Sequence, residues 1–114
     1  RDLLIELISN LKAQGKRIVG YGASGRATVH INFCKFDHKT VEYVIDASHE
    51  RQGRFIPGMH IPIVSPDKLK KDNPDYAILF AYNYFDEIMK KETNFIQKGG
   101  KFIVPLPEPK IIET

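Results

Sequence analysis

The residue types best suited to chemistry lie in one short run, residues 20–25, which reads Gly-Tyr-Gly-Ala-Ser-Gly and has the spacing Gly-x-Gly-x-x-Gly. An apolar β run precedes it and a helical segment follows it. In that context the N–H groups of the first helical turn are free to bind an anion. The run therefore predicts a phosphate or diphosphate site, with a purely structural strand-to-helix turn as the alternative. The residues assigned to this site are Gly20, Gly22, Ala23, Ser24, Gly25 and Arg26.

Each of the three glycines is expected to have its own role. Gly20 is interpreted as the residue that allows the tight turn, because glycine has no Cβ to restrict its backbone. Gly22 is expected to let a ligand come close to the main chain, and Gly25 to let helix and strand pack together. A larger residue at position 22 is then expected to block the ligand and leave the fold mostly intact.

Polar residues also follow three other predicted strands, and the carboxyl ends of parallel strands meet at one edge of a sheet. Asp46 either accepts hydrogen bonds from ribose hydroxyls or caps the next turn. Asn83 either caps the next helix or holds a hydroxyl or phosphate. Tyr82 or Tyr84 could stack on a base or sugar, or pack locally. Glu108, after the last strand, either meets sugar hydroxyls or faces solvent.

The long connection at residues 47–60 carries two arginines, two glycines and a Pro-Gly turn. Loops of this length in compact domains often carry function. Arg51 or Arg54 could pair with a phosphate, and a solvated arginine is the alternative for each. Of the two, Arg54 is assigned to the substrate site.

The composition is that of an ordinary globular protein, with 42% hydrophobic and 27% charged residues and a net charge of +3. The basic residues are dispersed, which argues against nucleic-acid binding, and no apolar run approaches the ~20 residues of a membrane span. The single cysteine and the four histidines lack metal-ligand spacing, so no metal site is expected. A lone cysteine fits a reducing cytoplasm. No nucleophile constellation stands out, and no catalytic residue is assigned.

The order of elements predicts the fold. A helical stripe from Leu3 to Leu11 is expected to end at Gly15. Strands are predicted at residues 17–21, 40–45, 61–64, 75–81 and 101–105, and helices at 24–36, from 65 onward and at 83–98. Strands that alternate with helices indicate an α/β, Rossmann-like three-layer sandwich with a mostly parallel sheet. Residues 1–114 are expected to form a single domain and, since the chain opens with Arg1, to be a piece of a longer polypeptide.

Several segments together resemble one family. They are Gly-Tyr-Gly-Ala-Ser-Gly-Arg-Ala at 20–27, Val-Ile-Asp at 44–46, Gln-Gly-Arg-Phe-Ile-Pro-Gly at 52–58, His-Ile-Pro-Ile at 60–63 and Gly-Lys-Phe-Ile-Val-Pro-Leu-Pro at 100–107. This set resembles the C-terminal domain of sugar C-methyltransferases. The similarity covers nearly the whole chain, and the 52–58 segment with its sequel is specific.

The resemblance implies a division of labour. Enzymes of that family carry a small zinc-binding N-terminal domain, a central domain that binds S-adenosylmethionine, and a Rossmann-like C-terminal domain that helps bind a nucleotide-linked deoxysugar, typically a dTDP sugar. They remove a proton next to a sugar keto group and transfer a methyl group to that carbon. By that resemblance this chain binds the nucleotide sugar, and the other domains of its polypeptide hold S-adenosylmethionine and the base.

Two other functions stay open from the residues alone. A glycine loop with Asp46 on a ribose is also the pattern of an NAD(H)-binding domain in a dehydrogenase or sensor. A glycine loop that binds nothing would belong to a non-catalytic interaction module. Ligands that bind the native state raise its unfolding midpoint, so a thermal-shift panel separates the three.

Overall fold

The computed structural model describes residues 2–105 and 109–112. Its elements in chain order are α1 (Asp2–Ala13), β1 (Ile18–Tyr21), α2 (Gly25–Cys34), β2 (Val44–Ile45), β3 (Ile63–Val64), α3 (Pro66–Asp72), β4 (Tyr76–Leu79), a 3₁₀ turn (Tyr82–Tyr84), α4 (Phe85–Lys91), α5 (Thr93–Gln97), β5 (Lys101–Val104) and β6 (Lys110–Ile111).

The strands form one sheet in the order β3-β2-β1-β4-β5-β6. Neighbouring strands from β3 through β5 pair in parallel, and β6 returns antiparallel to β5. This topology confirms the prediction of a Rossmann-like α/β fold with a mostly parallel sheet. The strand order reverses between β1 and β4. The loops that follow these two strands therefore flank the position where open α/β sheets bind ligands.

Helices cover both faces of the sheet. Ile18 and Val19 are adjacent in β1 and fully buried, and they point to opposite faces. Ile18 packs with α1, α2 and the chain before β3, in a cluster that includes Ile8. Val19 packs with α3, α4 and α5, in a cluster that includes Leu69. The result is three layers, as the alternating sequence predicts.

Local sequence explains where two helices begin. Ser24 caps α2, and its side chain accepts the N–H of Ala27 at 3.4 Å. Ser65 caps α3 by accepting the N–H of Asp67 at 3.1 Å, with Pro66 in the first helical position. Serine caps and an N-terminal proline are the expected start signals of a helix, and both helices begin where the sequence predicts.

The amino-terminal edge of the sheet is held by a charged network. Arg17 donates to Glu42 at 2.6 Å and to Asp72 at 2.7 Å, and the Tyr43 hydroxyl donates to Asp72 at 2.8 Å. The carboxylates of Glu42 and Asp72 raise the pKa of Arg17, and the hydrogen bond from Arg17 lowers the pKa of Asp72. This network lies at the opposite end of β1 from the glycine loop, so it stabilises the fold at a distance from the candidate site.

Two predicted elements differ from the structure. The helix predicted over residues 83–98 is a 3₁₀ turn followed by α4 and α5, with a break at Glu92, whose φ is −102° and ψ is 37°. The carboxyl group of Glu92 turns into the core to accept a hydrogen bond from Tyr21, a long-range contact that apolar spacing does not reveal. The strand predicted over residues 40–45 is limited to β2, because Thr40 lies in a turn whose N–H groups Asp37 accepts.

The chain after β5 continues beyond the last predicted strand. It forms β6, in which Ile111 pairs with Ile103 and Lys110 with Val104. The role considered for Glu108 falls outside the described residues.

Candidate functional site

The glycine loop follows β1, but its glycines act differently from the sequence interpretation. Gly22 makes the turn, since its φ is +93° and a Cβ there would lie 2.6 Å from the Cβ of Ala81. Gly20 lies within β1, where a Cβ would come 2.9 Å from the Phe80 ring, so its role as the turn residue is wrong. The packing role of Gly25 is also wrong, because a Cβ there meets no described atom within 4 Å. A larger residue at position 22 would strain the loop itself and is not a clean test of ligand approach.

The first turn of α2 presents backbone donors at the carboxyl edge of the sheet. The N–H of Ala23 is bound to Asp46 at 2.8 Å. The N–H groups of Gly25 and Arg26 have no acceptor among the residues that the structure describes. Two donors at the positive end of a ten-residue helix are therefore available to an anion.

Asp46 lies at the end of β2 and is 8% exposed. Its Oδ1 accepts the N–H of Ser48 at 2.8 Å, and its Oδ2 accepts the N–H of Ala23 at 2.8 Å and an N–H of Arg51 at 3.2 Å. The capping role predicted for Asp46 is thereby confirmed, and its contact with a ribose hydroxyl stays a prediction. Through these bonds Asp46 joins the glycine loop to the loop after β2 and orients Arg51.

A cavity of about 290 Å³ opens at this edge, between the loops after β1 and β2 and the side of α4. We call it the Arg51 cavity. Buried Ile45 and Ile88 contribute an apolar lining, and Arg51, Glu87 and Lys91 contribute charged groups. An apolar lining with a few charged groups is typical of a small-molecule site.

The charges of the Arg51 cavity are only partly paired. The Arg51 side chain is 50% exposed, and one of its five N–H donors forms a hydrogen bond to Asp46. Glu87 and Lys91 form no ion pair within the described part of the chain. The ammonium of Lys91 and the remaining donors of Arg51 can therefore reach a ligand.

A second cavity of about 310 Å³, the Arg26 cavity, lies on the other side of Tyr84. It is lined by Arg26 and Asn83 and shares Ser24, Ala81 and Tyr84 with the Arg51 cavity. Tyr84 is 57% exposed and borders both cavities. We call these two adjacent cavities, at the carboxyl ends of β1 and β4, the ligand groove.

Asn83 and Tyr82 contact Arg26 and have no capping role. The Arg26 guanidinium lies 4.8 Å from the centre of the Tyr82 ring and donates to the side-chain oxygen of Asn83. The prediction that Asn83 caps the helix is wrong, because α4 has Tyr84 at its N-cap and no side-chain cap there. These contacts join the first turn of α2 to the loop after β4.

The structure thus brings six of the ten residues assigned from the sequence to the lining of the two cavities, and it leaves Gly20, Gly25, Arg54 and Tyr82 outside that lining. Gly20 is inside β1, and Arg54 is exposed and lines neither cavity, whereas Arg51 does. Sequence reasoning missed Glu87 and Lys91. With Tyr84 and Ile88 they follow the spacing i, i+3, i+4, i+7, which marks one face of a helix and was the signal available.

His30 lies on α2 and lines neither cavity. His30 packs against Phe80 with ring centres 6.0 Å apart, and burial lowers its pKa, so it is uncharged at neutral pH. Across residues 2–105 and 109–112, no three His, Cys, Asp or Glu side chains converge in a metal-binding group. None of the helices in those ranges has the length and apolar character to cross a membrane.

Comparison with known proteins shows to which family the chain belongs. The model of the C-methyltransferase C-terminal domain matches residues 1–107 of the chain. The chain belongs to the C-methyltransferase C-terminal domain family. This membership confirms the resemblance carried by the glycine loop and by residues 52–58. The chain is also 39% identical, over all 114 residues, to C-methyltransferase NovU of Streptomyces niveus, and it spans 27% of the length of that relative.

In this C-methyltransferase C-terminal domain, residues 52–58, which carry the most specific part of the family resemblance, support the loop that carries Arg51. Gln52 donates its side-chain N–H to the carbonyl of Asp46 at 2.8 Å, and Ile56 is fully buried. Gly58 has a φ of +90° and lies so close to Asn32 of α2 that a Cβ would clash with its side chain. The segment therefore fixes the loop that carries Arg51 against β2 and α2.

Proposed function

We propose that this domain binds a nucleotide sugar of the dTDP-deoxysugar type for an S-adenosylmethionine-dependent enzyme that methylates a sugar carbon next to a keto group. The observation that supports this most is the meeting of the α2 N-terminus, Arg51 and Lys91 at the switch point of the sheet. Those groups favour an anionic ligand, and the diphosphate is the anionic part of a nucleotide sugar.

The charge balance of the groove supports a diphosphate. Three cations, Arg26, Arg51 and Lys91, and two carboxylates, Asp46 and Glu87, line it, and Arg51 already neutralises Asp46. The two unoccupied N–H donors of α2 add the partial positive charge of a helix N-terminus. Phosphate oxygens bound by backbone N–H groups and by an arginine form charge-assisted hydrogen bonds, which are about twice as strong as neutral ones.

The shape of the groove supports a ligand with two ring systems. The cavities measure about 290 and 310 Å³, and each alone is close to the lower limit of roughly 300 Å³ for a small-molecule site. A nucleoside and a sugar joined by a diphosphate match two such cavities linked through the α2 N-terminus. Tyr84, exposed between them, is available to stack on either ring.

The methyl donor does not match this groove. S-adenosylmethionine carries a sulfonium cation and no phosphate, whereas the groove offers cations and helix N–H groups. We therefore propose that S-adenosylmethionine and the proton-abstracting base belong to other domains of a longer, cytoplasmic polypeptide. The domain described here would hold and orient the sugar so that its carbon meets the donor within roughly 3–3.5 Å.

An NAD(H)-binding role has less support. In that role the acidic residue after the second strand accepts hydrogen bonds from a ribose. Here the carboxylate of Asp46 already accepts three hydrogen bonds from Ala23, Ser48 and Arg51. Ribose hydroxyls would have to compete with these bonds, which hold the glycine loop in place.

Calorimetric titration of residues 1–114 with dTDP, dTDP-glucose, NAD and S-adenosylmethionine tests the proposal. We expect dTDP and dTDP-glucose to bind and the other two not to bind. Arg51→Gln should weaken dTDP binding roughly 10- to 150-fold, since a hydrogen bond to a charged group contributes about 1.5–3 kcal/mol. Arg54→Gln is the matched control, because Arg54 lies on the same loop but lines neither cavity, and it should change the affinity less than twofold.

The outcomes separate the three functions. Absence of binding by both thymidine nucleotides overturns the proposal. Preferential NAD binding replaces it with the dehydrogenase or sensor function. An equal loss in Arg51→Gln and Arg54→Gln would contradict the assignment of the anion to the Arg51 cavity.

A further inference from the structure

A buried hydrogen bond joins the end of β1 to the break between α4 and α5. The Tyr21 hydroxyl donates to the Glu92 carboxyl group, and the two residues are 6% and 1% exposed. Burial, together with the Glu92 carboxylate, raises the pKa of Tyr21 above its ordinary range, so the hydroxyl keeps its proton and remains a donor. The ring of Tyr21 meets that of Phe102 edge-on at 5.8 Å.

Stability alone gives no reason for an acidic residue at position 92. Removing a charged group from water costs on the order of several kcal/mol, and a well-packed apolar pair is often as stable as a buried polar one. Some buried polar contacts are instead retained because they define a single arrangement. The arrangement at Glu92 is the break itself, since α4 ends at Lys91 and α5 begins at Thr93.

The element held by this bond forms one wall of the Arg51 cavity. Glu87, Ile88 and Lys91 of α4 line the cavity, and Lys91 directly precedes Glu92. Successive side chains of an α-helix are rotated by roughly 100° about the helix axis. A change in the rotation of this seven-residue helix by even part of that angle would therefore move the Lys91 ammonium away from the anion.

We propose that Tyr21 and Glu92 are positioning residues for the ligand groove: their hydrogen bond sets the rotation of α4 that directs Lys91 into the Arg51 cavity. The effect on ligand binding rests on the function proposed above, whereas the placement of α4 does not. Tyr21 is itself among the residues that line the cavity, and it is the hydroxyl that acts through α4.

The Tyr21→Phe variant keeps the ring and removes only the hydroxyl, and the chain offers a matched control. Tyr43 is 5% exposed and also donates to a carboxylate, that of Asp72 at 2.8 Å, but at the opposite edge of the sheet. We expect Tyr21→Phe to weaken dTDP binding three- to tenfold and Tyr43→Phe to change it less than twofold. Each variant loses one hydrogen bond between a buried tyrosine and a carboxylate. A difference in dTDP affinity between the two variants therefore does not come from a general loss of stability.

Combination with Lys91→Gln distinguishes positioning from a general effect. If the hydroxyl acts through Lys91, Tyr21→Phe should have almost no further effect on dTDP affinity in the Lys91→Gln background, whereas independent changes add. Glu92→Gln retains an acceptor and should bind dTDP within twofold of the wild type, while Glu92→Leu should resemble Tyr21→Phe. If Tyr21→Phe does not fold, this Glu92 pair carries the test.

Amide hydrogen exchange in the ligand-free protein tests the placement of α4 without any ligand. Tyr21→Phe should speed exchange over residues 85–97 by at least threefold relative to Tyr43→Phe. Equal exchange in the two variants, or full additivity with Lys91→Gln, overturns the positioning role. Failure of the wild type to bind dTDP overturns the proposed function instead, and exchange then still decides whether the pair holds α4.

Discussion

Replacing Gly25 by aspartate should stabilise the domain and weaken its anion binding at the same time. Gly25 is the first residue of α2, and a Cβ there meets no described atom within 4 Å, so a side chain fits without displacing the loop. The first turn of α2 contains no acidic residue. A carboxylate placed there interacts favourably with the helix dipole but lies next to the N–H groups proposed to hold the diphosphate.

The two effects have opposite signs and can be estimated separately. The helix dipole contributes about 0.3–1 kcal/mol, and loss of a helical glycine about 0.5–1 kcal/mol. For a domain of this size the sum raises Tm by roughly 3–8 °C. A carboxylate about 5 Å from a phosphate at an effective dielectric constant of about 40 is repelled by about 1.7 kcal/mol. That repulsion corresponds to about 15-fold weaker binding.

Thermal unfolding without ligand and calorimetric titration with dTDP measure the two effects. Gly25→Asn is the matched control, since it has the same shape without the charge. The Debye length is about 10 Å at 0.1 M salt and shorter above it. The difference in dTDP affinity between the Asp and Asn variants should therefore shrink as salt is raised.

One result would refute the reasoning. If Gly25→Asp is folded, melts higher than the wild type and binds dTDP as tightly as both the wild type and Gly25→Asn at low salt, the diphosphate does not lie at the α2 N-terminus. If both variants bind equally but more weakly than the wild type, the electrostatic argument fails.

Three further predictions concern the loop, the charged network and catalysis. In urea unfolding, Gly22→Ala should lower the free energy of unfolding by about 2–4 kcal/mol and Gly53→Ala by about 1 kcal/mol. Both glycines have a positive φ, but only at Gly22 would a Cβ meet Ala81. Equal losses in the two variants would mean that the structure relaxes to relieve the contact with Ala81. The hydrogen bond from Arg17 lowers the pKa of Asp72 in the folded state, so its stabilisation is present above the unfolded pKa of about 4 and is lost as pH falls through the lower folded value. Asp72→Asn should therefore flatten the loss of stability below about pH 4, and an unchanged acid limb in urea unfolding would contradict this. Residues 1–114 alone should unfold cooperatively and give no methyl transfer from labelled S-adenosylmethionine to a dTDP-keto-sugar; transfer by a preparation free of other methyltransferases would contradict the proposed division of labour.

Local sequence was sufficient for most of the elements and for their arrangement in outline. The serine caps of α2 and α3, the hydrophobic strand β4 and the alternation of strands with helices depend on neighbouring residues and on short-range hydrogen bonds. Such signals are read directly from spacing and residue type. The carboxyl edge of the sheet, where the site lies, followed from the parallel topology that this alternation predicts.

The roles within the site depended on contacts between distant segments. Gly22 needs to be glycine because Ala81 lies against it, and Gly20 because Phe80 does; no local pattern contains those neighbours. Arg51 rather than Arg54 lines the cavity because the buried carboxylate of Asp46 orients it. Lys91 reaches the cavity because α4 ends at a residue anchored to Tyr21. The sequence by itself therefore determined the layers, the parallel sheet and the edge that carries the site. Tertiary packing decided which side chains face the ligand groove, because it depends on residues that meet only after the chain has folded.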